Sequence, residues 1–227
     1  MRDSAEKLLA FGSSAVCALS GQLRFTRFEY GLRPDLLNGV RSFELADIVR
    51  GLDGCGPPTN ESGAAQPFAD NLYTRLRPVW ESFASDLNEP FGLHLNRPLP
   101  LAELMYVDRL RDGHPVLSSI TLKHSLHYTE ARRYCSILQA PVVTCRHEGQ
   151  IERPTVYLQG MKFCARPSSD LNIPDEAAAK AAINSIFDDA RRQSRCRAAI
   201  GGPIDLAVID EQGRRWLQHK TYLPRQV

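Results

Sequence analysis

Leu101-Ala102-Glu103-Leu104-Met105-Tyr106-Val107-Asp108-Arg109-Leu110 runs into Arg111-Asp112-Gly113, and Val116-Leu117-Ser118-Ser119-Ile120-Thr121-Leu122-Lys123-His124-Ser125-Leu126 follows. Two long runs rich in residues that suit strands, joined through Asp-Gly, predict an antiparallel hairpin. Whatever precedes and follows this hairpin decides the fold class. Upstream, Leu45, Ile48, Val49 and Leu52 recur at helical spacing within Phe43 to Leu52, which predicts an amphipathic helix. A second helix follows, carrying Leu72, Leu76, Val79, Trp80, Phe83 and Leu87 on one face. Pro78 lies inside it, so a kink or break is expected there. Between the helices, Asp53 to Pro67 holds Gly54, Gly56, Pro57, Pro58 and Gly63 and reads as an exposed loop.

Further upstream, Lys7-Leu8-Leu9-Ala10-Phe11, a Gly12-Ser13-Ser14 turn and Ala15-Val16-Cys17-Ala18-Leu19 predict a buried hairpin ending at Ser20-Gly21. Downstream, Pro141 to Arg146 and Thr155 to Gln159 are candidate strands on either side of Glu148-Gly149. Pro174-Asp175-Glu176 opens a helix whose apolar face is Ala179, Ala182, Ile183, Ile186, Phe187 and Ala190. After Gly201-Gly202-Pro203, Ile204 to Ile209 and a return through Trp216-Leu217 predict a closing hairpin. Helices and strands are segregated rather than alternating, so the expected class is α+β with antiparallel sheets. A nucleotide site at the switch point of a doubly wound sheet is thereby not expected.

The 227 residues include 28 basic and 26 acidic side chains, a net charge of +2 that argues against holding nucleic acid mainly by electrostatics. With 43% hydrophobic and 24% charged residues, the composition is that of a folded, soluble chain. No run approaches the ~18 apolar residues of a membrane span, and the first residues do not open a signal peptide. The expected compartment is the cytoplasm, with no membrane partner. Cys17, Cys55, Cys135, Cys145, Cys164 and Cys196 are scattered without C-x-x-C spacing, which favours reduced thiols over disulfides or a local zinc site. No cofactor or metal is expected.

Several constellations invite a chemical reading. Gly51-x-x-Gly54-x-Gly56 lacks the strand and helix that a phosphate loop needs. His124 and His127, with Glu130 nearby, suggest a metal until the strand is considered: residues three apart point to opposite faces. Adjacent Cys145-Arg146-His147 fails as a nucleophile and base for the same reason. Arg191, Arg192, Arg195 and Arg197 complement a helix C-terminus. Asp205, within the apolar run of the final strand, must find water, a partner or a donor.

Two separated segments carry a family resemblance. Lys7-Leu8-Leu9-Ala10-Phe11 through Ala18-Leu19-Ser20-Gly21, and the helix from Asp175 through Ile200-Gly201-Gly202-Pro203-Ile204-Asp205 to Val208, Gly213 and Trp216, resemble a proteasome-type N-terminal nucleophile (Ntn) hydrolase. The two-helix stretch and the Leu101 to Leu126 hairpin fall between them in the family's order, while residues 127 to 172 fit poorly. The resemblance implies one domain over residues 1 to 227, folded as a four-layer αββα sandwich of two stacked antiparallel sheets. It places Lys7 on the family's catalytic lysine, implies an amide or peptide substrate for active members, and implies self-association into oligomers.

The family's nucleophile and its first acidic residue lie on strands before that lysine, where this chain has only Met1 to Glu6. Active proteasome subunits usually have Ser just before the Gly-Gly turn and Asp three residues earlier, where this chain has Ile200 and Arg197. Two explanations stand: a hydrolase whose recorded start is truncated, or a catalytically inactive relative kept for assembly or binding. A non-enzymatic α+β binding or scaffold domain outside the family is the alternative, and a thiol or metal enzyme built from distant Cys and His residues is a third class.

Overall fold

The computed structural model describes residues 8–11, 15–21, 23–26, 42–52, 65–85, 96–109, 115–128, 130, 134–148, 155–158, 161–164, 177, 180–181, 184, 205–210 and 213–219. In chain order the elements are β1 (Leu8–Phe11), β2 (Ala15–Gly21), β3 (Arg24–Thr26), β4 (Ser42–Glu44), α1 (Leu45–Arg50), α2 (Ala65–Phe83), β5 (Leu99–Arg109), β6 (Pro115–Tyr128), β7 (Tyr134–Leu138), β8 (Val142–Glu148), β9 (Thr155–Leu158), β10 (Met161–Cys164), β11 (Leu206–Asp210) and β12 (Gly213–Gln218). The fold is mixed α+β with antiparallel pairing, as its sequence order predicts. The chain forms two compact units, one of Glu6–Gly149 with Ile209–Arg214, the other of Met1–Ala5, Gln150–Val208 and Arg215–Val227.

In the first unit a six-stranded sheet runs in the order β1-β2-β5-β6-β7, with β8 also on β6. The predicted opening hairpin is β1–β2, registered Leu9 on Cys17 and Phe11 on Ala15. β2 then pairs with β5, which carries the 101–126 hairpin into the same sheet. β7 and β8 act as one outer strand along β6: Leu138 lies opposite His124 and Val142 opposite Thr121. The outer strand thus has one residue more than β6 over that interval, a bulge that contains Pro141. Proline has no N–H for the ladder, and a bulge is where a strand tolerates that loss.

One face of this sheet is sealed. Cys17, Leu19, Leu104, Tyr106, Ile120 and Leu122 alternate onto it and are buried. α2 covers it because Phe68, Leu72, Leu76, Trp80 and Phe83 fall on one side of the helix, all buried. Phe68 meets the rings of Phe11 at 5.1 Å and Tyr106 at 4.7 Å. The solvent side of α2 carries the spaced pairs Gln66–Asp70 at 2.9 Å and Arg77–Glu81 at 2.7 Å. The opposite sheet face is more polar and less buried, with Met105, Val107, Thr121 and Lys123 half-buried and Ile137 and Val142 exposed.

Three expectations change in detail. α2 begins at Ala65, so the 53–67 loop is shorter than predicted, and Pro67 falls in the first helical turn, where its missing N–H costs no intrahelical bond. The helix also runs unbroken through Pro78. That proline leaves the Thr74 carbonyl without its usual donor, and both residues are exposed, so water can satisfy it. Pro141–Arg146 and Thr155–Gln159 do form strands, β8 and β9, but β8 lies on β6 and β9 pairs with β10.

β3 and β4 form a two-stranded ribbon in which Phe25 lies opposite Phe43 and stacks on it at 4.7 Å. Phe25 also meets Trp80 edge-on at 5.6 Å, joining the ribbon to α2. The first helical expectation holds as α1, with Leu45 and Val49 buried. Of the helix predicted from Asp175, residues 177, 180, 181 and 184 are described and helical. The closing strands β11 and β12 pair with each other. Among the described residues, no helix is long and apolar enough to cross a membrane.

Candidate functional site

β6 presents its two histidines to opposite faces, as strand geometry requires. His124 is buried beneath α2, its ring 5.2 Å from that of Trp80, and its Nδ1 lies 2.7 Å from Ser136 Oγ. Trp80 Nε1 donates to the same Ser136 Oγ at 3.1 Å. Burial lowers the His124 pKa to about 4, so the imidazole is neutral at neutral pH. Since indole only donates, Ser136 Oγ accepts from Trp80, and the same hydroxyl engages His124 Nδ1. The Ser136 backbone N–H donates to the Ala84 carbonyl at 3.0 Å, just past the end of α2. Helix, sheet and hydroxyl are thereby locked in one register, a buried network with a structural role.

His127 occupies the other face. Its Nε2 lies 2.8 Å from Ser125 Oγ, which accepts from Gln139 Nε2 at 2.8 Å. A hydroxyl within hydrogen-bond reach of an imidazole is the pairing a serine nucleophile makes with its base. Ser125 is only 1% exposed, however, which closes it to a substrate carbonyl in this arrangement. Cys135 lies opposite His127 in the ladder, half-buried, and burial raises its thiol pKa, which disfavours the nucleophilic thiolate. Burial pushes the Cys17 thiol up still more strongly, and it is a core residue. Cys17 and Cys135 are free thiols.

A third constellation lies near the C-terminus. Asp205, whose side chain is 6% exposed, meets Nδ1 of His219 at 3.1 Å, and the His219 side chain is 41% exposed. The Trp216 ring stacks on the imidazole at 4.3 Å. Asp205 thus finds the donor its apolar surroundings demand. A carboxylate fixing one imidazole nitrogen while the ring stays reachable is the orienting half of a general base. Sequence reasoning singled out Asp205 but missed His219 and Trp216, because nothing in a linear reading marks two residues beyond a turn as its partners.

Lys7 lies outside the described residues, as do Arg191, Arg192, Arg195, Arg197, Ile200 and the Gly201-Gly202 turn. Cys145, Arg146 and His147 lie on β8. The 145-to-147 stretch carries a second bulge, Cys145 lying opposite Ser118 and His147 opposite Leu117. Among the described residues, no group of three or more His, Cys, Asp or Glu side chains is placed to hold a metal ion. Compared with known proteins, the chain matches no family model, no curated protein and no solved structure.

Proposed function

We propose that the chain is a catalytically inactive protein of the proteasome-type Ntn fold, acting through assembly or binding rather than hydrolysis. The observation that carries this reading is the sheet itself. The opening hairpin β1–β2 continues into the β5–β6 hairpin, and the intervening helices contact this sheet at β1 and at β6 to β8. A sheet with helices on one face and a mixed polar and apolar, less buried face on the other is the half-structure on which a second sheet would stack. Inactivity is supported by Ile200 and Arg197, which stand where active proteasome subunits usually carry Ser and Asp. The burial of Ser125, Ser136 and Cys17 favours the same conclusion.

The test is incubation with fluorogenic peptides and an epoxide-type inhibitor directed at N-terminal nucleophiles, read by fluorescence and intact mass. The expected result is no turnover and no adduct, with self-association visible by light scattering. An adduct would establish the hydrolase reading instead, and an experimental structure with one unstacked sheet would reject the family. The absence of any matching family favours a second reading, a binding or scaffold domain outside it. Exposed Ile137 and Val142 on the outer strand then offer the first contact surface to mutate.

A further inference from the structure

We draw no further inference here: the strongest candidate, the side-chain cluster at the end of β12 in which the buried Asp205 carboxylate meets the exposed His219 imidazole beside Trp216, belongs to the site already described, and nothing among the described residues shows what it would act on.

Discussion

His124 and His219 each bring Nδ1 to an oxygen, and the difference in what surrounds them sets what each can do. His124 is 7% exposed and bonds a neutral hydroxyl that an indole already engages. His219 bonds a carboxylate and remains 41% exposed at its side chain. In the first case desolvation dominates and keeps the ring neutral, because no counter-charge repays the cost of ionising it. In the second, the carboxylate is shielded from water while the ring is not. The same residue type serves as a neutral core partner in one place and as an exposed, carboxylate-bound imidazole in the other. Polar contact alone therefore does not mark a functional histidine; exposure and the partner's charge do.

The largest expected effect tests the sealed side. Trp80→Ala removes a fully buried indole that touches Phe25, Phe83 and His124, and should cost ~3–5 kcal/mol by denaturant unfolding. A loss under ~1 kcal/mol would mean that α2 is not docked through this cluster. Next comes pH. His124 titrates near 4 when folded, against 6.5 for an ordinary histidine, so between those values the unfolded chain binds the extra proton. The contribution is intact above pH 6.5 and is lost as pH falls toward 4, reaching about 3 kcal/mol below that. His124→Asn retains a hydrogen-bonding group for Ser136 and has no proton to gain, so its stability should be flatter over that window. An unchanged slope would assign the acid sensitivity elsewhere.

Ser136→Ala is smaller but sharper. It strands the Trp80 N–H and His124 Nδ1 together in the core, for an expected cost of ~1–3 kcal/mol. Ser125→Ala, on the more open face, leaves Gln139 and a half-buried His127 that can turn to water, and should cost about 1 kcal/mol or less. Parity between the two substitutions would erase the contrast between the faces.

The core of the first unit was legible because its signals are local. Leu72, Leu76, Trp80 and Phe83 announce a helix by spacing, and Asp112-Gly113 announces a hairpin by turn chemistry. Less legible were β3, β4, β7 and β10: they are three to five residues long, too short for periodicity to register. The continuity of β7 and β8 was hidden by Pro141, which reads as a break until the bulge accommodates it. The separation of His124 from His127 followed from strand alternation and needed no structure, whereas Ser136 could not be found as the partner of His124. That contact depends on register across a turn, and register is fixed by the whole face packing against α2.

The smallest effect belongs to the open side and is the one that bears on chemistry. Asp205→Asn keeps an oxygen for His219 while removing the charge, so the folded state should lose less than about 1 kcal/mol, as for a partly exposed ion pair. A loss above ~2 kcal/mol by denaturant unfolding would show that the buried carboxylate anchors the end of β12 through His219, and His219 would then be a structural residue like His124 rather than its contrast.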